Sequence, residues 1–252
     1  MKMQGNTILI TGGGSGIGKG LAEAFHGLGN QVVISGRRKE RLQATLDANP
    51  GMASVTLDIT DPASVAAAAK QVVAAYPKLN VLINNAGIML ADHADGPVDD
   101  SLLSATVATN LMGPVRMTSA LIEHLKRQDG AVIVNVSSIL GFVPMAVTAV
   151  YSATKAAVHS YTLSQRYLLG PSGVTVLEIA PPWVRTELMN STEEERAIPL
   201  SQFIADAMRL LATDAEEVLV GQAPQMRANP GPGEHAWVRQ FNDMIASGPA
   251  FG

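Results

Sequence analysis

Residues 6–28 read NTILITGGGSGIGKGLAEAFHGL. The first six form a short β-branched run, the next seven are mostly glycine, and the remainder is amphipathic, so the segment predicts strand, tight turn and helix in that order. Gly12, Gly16 and Gly18 follow a G-x3-G-x-G spacing. Glycine tolerates positive φ and lets backbone N–H groups approach a diphosphate at the positive end of a helix. A turn that merely packs helix against strand is the plainer reading. The flanking strand and helix supply the context that the phosphate reading requires.

Outward from this unit, strand and helix patterns alternate. Strands are expected at 31–35, 53–57, 79–84, 131–136, 174–180 and 218–221, each a short apolar or β-branched run. Helices are expected at 38–48, 63–76, 98–111, 115–127, 148–169, 201–212 and 235–246, with Gly113-Pro114 separating the helices at 98–111 and 115–127. Such alternation argues an α/β fold with a doubly wound parallel sheet. Right-handed crossovers then bring the carboxyl ends of all strands to one edge, where ligands bind in open α/β sheets. Gly12–Gly18, Arg37, Asp58, Asn85–Gly87, Ser138 and Pro181–Thr186 all follow strands and should gather there.

At 252 residues, with 47% hydrophobic and 16% charged side chains, the chain suits one large domain spanning 1–252 and excludes disorder. A net charge of −4 gives no electrostatic reason to expect nucleic acid or an anionic membrane. With no cysteine there are neither disulfides nor thiolate metal sites, and a reducing compartment is permitted. The N-terminal apolar run is too short for a signal peptide, and no apolar stretch is long enough to span a bilayer, so a cytoplasmic protein is expected.

Chemistry concentrates in Ser138–Lys155, SILGFVPMAVTAVYSATK. Tyr151 and Lys155 are four residues apart on an expected helix, hence one turn apart on one face. An ammonium close to a phenol favours the phenolate and so makes the hydroxyl a better acid. Ser138 ends a strand and adds a second hydroxyl. Chance places many Tyr-x3-Lys pairs on helices, so the pair counts only through its setting.

Arg37 stands nineteen residues after Gly18, where dinucleotide folds that bind a ribose 2′-hydroxyl carry an acid. No acid ends this strand. Arg37 and Arg38 at a helix N-terminus oppose the dipole, which points to an anion such as a 2′-phosphate, and hence to NADP(H) over NAD(H). The alternative is a solvated first helical turn. Asp58 fits either an adenine amino group or a helix cap. Asn85, Ala86 and Gly87 suit a backbone pressed against a ligand, with Asn85 also able to bridge strands. Asn110, unfavourable in mid-helix, holds a water or a backbone bend. His93 lacks a second histidine at ligand spacing, so no metal is expected. His159 suits packing or an interface.

Taken together, TGGGSGIG at 11–18, NNAG at 84–87, Asn110, Ser138 and YSATK at 151–155 resemble the short-chain dehydrogenase/reductase family over essentially the whole chain. The resemblance implies a single Rossmann-type domain with sheet order 3-2-1-4-5-6-7 and reversible hydride transfer between NADP(H) and a carbonyl or alcohol. It implies Tyr151 as general acid/base, Ser138 as the group that polarises the substrate oxygen, and Lys155 as the ribose anchor that depresses the tyrosine pKa. Asn110 would anchor a relay water. Gly12, Ser15, Gly16, Ile17, Gly18, Arg37, Arg38, Asp58, Ile59, Asn85, Ala86, Gly87, Pro181, Val184 and Thr186 would join Tyr151 and Lys155 in holding the cofactor. Homodimers or homotetramers would form through the helices at 98–127 and 148–169. Pro182 departs from the family's glycine, so the path of the loop carrying Val184 and Thr186 is open.

Met89, Ile139, Leu140, Phe142, Val147, Trp183, Leu188 and Met189 are the expected substrate walls, mostly apolar. Residues 187–200 form a charged candidate lid, and 224–252 a tail. Two other functions fit the fold. A non-catalytic NADP(H) sensor or scaffold would be expected to lack Tyr151 or Lys155, and both are present. A sugar-nucleotide epimerase or dehydratase would need more chain after the sixth strand than the roughly seventy residues here.

Overall fold

In β1 (Thr7–Thr11) successive side chains are buried on opposite faces: Ile8 and Ile10 enter one apolar cluster and Leu9 the other. This is the period-two pleat of a strand covered on both sides. The computed structural model describes residues 1–92, 94–228 and 231–247. After β1 come α1 (Gly16–Gly27), β2 (Gln31–Gly36), α2 (Lys39–Ala48), β3 (Ala53–Thr56), α3 (Pro62–Ala75) and β4 (Leu79–Asn84). The second half adds α4 (Asp100–Val107), α5 (Gly113–Leu125), β5 (Val132–Val136), α6 (Ala149–Leu169) and β6 (Thr175–Ile179). It closes with α7 (Leu200–Leu211), β7 (Glu217–Val218), α8 (Ala223–Arg227) and α9 (Glu234–Ala246).

All strand pairs are parallel, in the order β3-β2-β1-β4-β5-β6-β7. β1 pairs with β2 on one side and β4 on the other, so the strand order reverses there and opens a crevice at the carboxyl edge. On one face α1 and α7 cover the sheet with Leu21, Phe25, Phe203 and Leu211. On the other, α3 and α5 contribute Val65, Val72, Met117 and Leu121. Asp61 caps α3 by accepting from the Ala63 N–H at 2.9 Å, and Pro62 takes the first helical position, where no N–H is needed.

Gly113-Pro114 was expected to break the helix, and it does not. Residues 108–112 widen into a π-helical turn, and α5 starts directly at Gly113. Pro114, which has no N–H to donate, falls directly after the π turn, where the regular α-helical register is already interrupted. Gly113 is required for a different reason: a Cβ there would lie 2.6 Å from Ile59 Cγ1. β7 is two residues long rather than the expected four, and the Pro-rich tail contains the short helix α8.

Between the middle strands and α5 and α6 runs a buried polar ladder. Asn84 Nδ2 donates to Thr118 Oγ1 and to Asn135 Oδ1, each at 3.0 Å, and Asn135 Nδ2 donates to Thr162 Oγ1 and Gln165 Oε1, each at 3.0 Å. Such a network fixes how α6 sits on the sheet, since each partner lost would leave a buried group unpaired. No described helix is long and apolar enough to cross a membrane.

Candidate active site

The residues that follow β1, β2, β4, β5 and β6 line one cavity of about 810 Å³ at the carboxyl edge of the sheet. At its inner end, β5 delivers Ser138 and α6 delivers Tyr151 and Lys155, all three buried. Ser138 stands at the start of the 3₁₀ turn Ile139–Gly141, where its Oγ accepts from the Leu140 N–H at 3.1 Å. That fixes its rotamer and aims it at Tyr151, with which it is hydrogen-bonded. Gly141 makes this approach possible: a Cβ there would lie 2.9 Å from the Lys155 carbonyl oxygen.

Lys155 Nζ donates to the Val136 carbonyl at 2.8 Å and sits 5.5 Å from the centre of the Tyr151 ring. Burial pushes the lysine pKa down to about 8, opposed by the negative charge of Glu178. Burial also pushes the Tyr151 phenol up to about 12, opposed by the Ser138 hydrogen bond. The expected depression of the phenol by Lys155 is therefore not what governs this site in the protein alone. Desolvation of the phenolate outweighs it.

Asn110 does not line the cavity; its neighbour Thr109 does. Its amide accepts from the Ile88 N–H at 2.9 Å and donates to the Ile88 carbonyl at 2.8 Å and to Thr154 Oγ1 at 3.3 Å. Asn110 thus ties the chain after β4 to α6, at the π turn, which is the backbone-bend alternative.

Toward the other end the cavity is walled by Gly12, Ser15, Gly16, Ile17, Asn85, Ala86 and Gly87, then by Arg37, Arg38 and Ile59. Gly12 and Gly16 have φ of 69° and 52°, in the left-handed region that disfavours side chains. Ser15 occupies the N-cap of α1 but its side chain makes no capping bond, and no acid lies in the first turn. The positive end of that helix therefore faces the cavity without an internal anion, a donor set that fits a diphosphate. Gly18 is not a cavity wall. A Cβ there would lie 2.3 Å from Asn85 Nδ2 and 2.4 Å from the Gly12 oxygen, so its role is packing. Asn85 in turn donates to the Thr11 carbonyl at 3.0 Å, bridging β4 to β1.

Asp58 also lies off the cavity. Its Oδ1 accepts from the Thr60 N–H at 3.0 Å and from Thr60 Oγ1 at 2.7 Å, and these bonds hold its carboxyl below the usual range, opposed by desolvation and aided by Arg37. It closes a turn on Thr60 while Asp61 caps the helix, and Leu57 and Ile59 on either side of Asp58 line the cavity. Arg38 Nη2 donates to Ser15 Oγ at 3.3 Å, and Arg41, a cavity residue the sequence did not single out, is paired with Glu187.

Of the expected substrate walls, Met89, Ile139, Leu140, Trp183, Leu188 and Met189 line the cavity. Phe142 and Val147 do not. The Phe142 ring packs edge-on against His159, with centroids 5.0 Å apart, and lies under the Arg227 guanidinium; Val147 is exposed. With Pro182 in place of the glycine, Pro181, Val184 and Thr186 reach the cavity, and Pro182 joins them. Arg185 secures the segment above by donating to the Glu194 and Ala197 carbonyls at 2.9 and 3.1 Å. Arg196 stacks over the Trp183 ring at 4.9 Å. Phe241, Met244 and Ile245 of α9 complete the apolar wall, a contribution whose only sequence sign was the amphipathic pattern of that helix. His93 lies outside the described residues.

The sequence pattern of the short chain dehydrogenases matches residues 6–197, and the chain belongs to the short-chain dehydrogenase/reductase family. Over 199 residues, 79% of each chain, it is 39% identical to the uncharacterized oxidoreductase DltE of Bacillus subtilis (strain 168). A short-chain dehydrogenase from Burkholderia cenocepacia J2315, solved in complex with NADP, superposes with a TM-score of 0.82 at 30% identity, covering 99% of this chain and 100% of that one. A 3-ketoacyl-(acyl-carrier-protein) reductase from Brucella melitensis complexed with NADH gives a TM-score of 0.78 at 29% identity, covering 84% and 93%.

Proposed function

We propose that this oxidoreductase reduces an apolar ketone or aldehyde with NADPH, reversibly, with Tyr151 as the proton donor. The observation that carries the proposal is the meeting of Ser138, Tyr151 and Lys155 at the end of a cavity whose other end holds the α1 N-terminus and Arg37. The Burkholderia neighbour's NADP supports a nicotinamide cofactor. The Brucella neighbour's NADH leaves the choice between the two forms to this chain's own arginines.

A nicotinamide, when bound, supplies the hydride for the carbonyl carbon. The Gly12 and Gly13 N–H groups donate to the Ser35 carbonyl, so the backbone N–H groups of Gly14–Ile17 would hold the diphosphate, Arg37 and Arg38 the 2′-phosphate, and Val184 and Thr186 the nicotinamide end. Ser138 donates to the carbonyl oxygen and polarises it. Tyr151, fully protonated at neutral pH, gives its phenolic proton to that oxygen, which becomes the alcohol hydroxyl. Lys155 holds the ribose and favours the phenolate left behind. General acid catalysis of this kind is worth about 10²–10⁴-fold.

The walls formed by Met89, Leu140, Trp183, Met189 and α9 favour hydrophobic substrates. We further place the protein in the cytoplasm and infer that copies pair through α4–α5 and α6. On α6, Tyr167 and Leu168 are 84% and 73% exposed, too much apolar surface for a helix that faces only water. Sedimentation tests the pairing.

The decisive experiment is a ketone and aldehyde panel followed through NADPH absorbance. Turnover of apolar carbonyls supports the reading. Tight NADPH binding with no oxidation across the panel favours a sensor, and interconversion of UDP-sugars without net cofactor change favours an epimerase.

A further inference from the structure

Behind the cavity lies a carboxylate that the reaction above leaves unused. Glu178, in β6, is fully buried. Ser137 Oγ donates to its Oε1 at 2.5 Å, and His159 Nδ1 lies 2.8 Å from its Oε2. A carboxylate only accepts, so Nδ1 carries the hydrogen. These partners bracket the reacting groups. Ser137 immediately precedes Ser138, and His159 lies one turn beyond Lys155 on α6. Lys155 itself donates to the carbonyl of Val136, the residue before Ser137. One buried side chain thus fastens the end of β5 to the helix that carries Tyr151 and Lys155.

The charges around Glu178 come from three elements. Lys155 and His159 face it from α6, Arg227 from α8 and Glu217 from β7, the last with oxygens within 4.8 Å of the Glu178 and His159 ligand atoms. Arg227 is taken up by Glu217, to which Nε and Nη2 donate at 2.8 and 3.1 Å. That guanidinium also makes the His159–Glu178–Glu217 group a poor home for a metal dication, since it already neutralises one of the two carboxylates. A buried carboxylate is strongly unfavourable unless a cation answers it. Arg227 gives its hydrogen bonds to Glu217 and reaches Glu178 only through its field, so Lys155 is the cation of the reacting site that answers this carboxylate. Among the described residues the titratable neighbours of Lys155 are Tyr151 and Glu178.

We propose that Glu178 is a positioning residue for this site: its charge keeps Lys155 cationic in a dry pocket, and its bonds to Ser137 and His159 hold Ser138 and Tyr151 on the same substrate oxygen. The inference rests on the roles given above to Lys155 and Tyr151.

Its test has one readout that needs no turnover. Protein labelled with ¹⁵N at the lysine side chains is titrated by NMR, with Lys155 assigned by its absence in Lys155→Met. In wild type Lys155 titrates near pH 8. In Glu178→Gln, which keeps the shape and removes the charge, its midpoint falls by about 1 unit, and the alkaline limb of kcat/KM falls with it. In His159→Gln, which still donates to Glu178, the midpoint stays at the wild-type value. An unchanged midpoint and an unchanged alkaline limb in folded Glu178→Gln overturn the proposal and leave Glu178 a brace. If that variant does not fold, Glu178→Asp decides, because it keeps the charge and retracts the carboxylate. Lys155 then titrates as in wild type while kcat drops about tenfold to a hundredfold; wild-type kcat overturns the proposal. A wild type that reduces no carbonyl defeats the proposed reaction, while the NMR titration still reports whether Glu178 holds the charge on Lys155.

Discussion

The Lys155 ammonium lies 5.5 Å from the centre of the Tyr151 ring, yet the hydrogen bond assigned to it goes to the Val136 carbonyl, 2.8 Å away. The two side chains are neighbours one turn apart without a direct bond between their polar ends. Burial acts on them in opposite directions, raising the phenol to about 12 and lowering the ammonium to about 8. The site therefore holds a protonated acid beside a cation that is close to losing its charge. In the proposed reaction this combination keeps the tyrosine protonated over the whole neutral range and makes the lysine the group whose titration should limit activity at alkaline pH.

Replacing Tyr151 by Phe removes the proton donor and little else, since the ring keeps its place in the cluster with Ile139, Leu140 and Met226. Turnover should fall by about 10²–10⁴-fold while NADPH, followed by fluorescence, still binds. Full activity in Tyr151→Phe would eliminate the tyrosine from the mechanism.

Lys155 gives a signature in stability as well. Its folded pKa of about 8 lies below the ordinary lysine value of 10.5, so between these limits the unfolded chain holds a proton that the native state has released. Stability from this group is therefore lowest below pH 8 and rises as pH climbs toward 10.5. Lys155→Met abolishes that dependence. In urea unfolding, wild type should gain on the variant by on the order of 3 kcal/mol across this window. A difference that stays flat or shrinks with pH would show that the ammonium is not desolvated.

The parts of this site that could be read from sequence are those set by local spacing. Strand, glycine turn and helix at 6–28 are adjacent in the chain, and so are Tyr151 and Lys155. Asp58 was ambiguous for the same reason: its partner Thr60 is two residues away, and that short-range bond occupies Oδ1 alone. Phe142 and Val147 do not line the cavity: one ends and the other lies within a short 3₁₀ turn, where no period tells inward from outward. Gly113-Pro114 misled because the π turn before it removes the need for a break. The walls given by Phe241, Met244 and Ile245 come from a helix about ninety residues beyond Tyr151, a contact only the fold creates. The two shifted pKa values follow from burial, which local sequence does not display.

Gly18 tests whether the turn after β1 is held by packing. A Cβ at Gly18 would meet Asn85 Nδ2 at 2.3 Å and the Gly12 oxygen at 2.4 Å, and the latter is backbone that cannot swing aside. Gly18→Ala should cost about 1–3 kcal/mol of stability and weaken dinucleotide binding. At Gly14 the nearest atom, Arg41 Cβ, would lie at 3.3 Å, so Gly14→Ala should cost less than about 1 kcal/mol. Equal losses in chemical denaturation would mean that the turn yields as a whole.

Arg37 tests the choice of cofactor. β2 ends at Gly36, and three arginines then line the far end of the cavity. Arg41 is engaged by Glu187, and Arg38 donates to Ser15 at 3.3 Å. Arg37 makes no side-chain hydrogen bond within the described residues and meets only the field of Asp58, so its donors remain for an anion. A charge-assisted hydrogen bond from it to a 2′-phosphate contributes roughly 1.5–3 kcal/mol, or about ten- to a hundredfold. Wild type should accordingly show a higher kcat/KM with NADPH than with NADH. Arg37→Ala should shrink that ratio by about ten- to a hundredfold, chiefly through KM for NADPH, with NADH kinetics unchanged. Added salt should weaken NADPH binding more than NADH binding, because the arginine is exposed and its attraction is screened. A wild-type preference for NADH would refute the phosphate assignment, and an equal loss with both cofactors in Arg37→Ala would assign the arginine to the adenosine half they share.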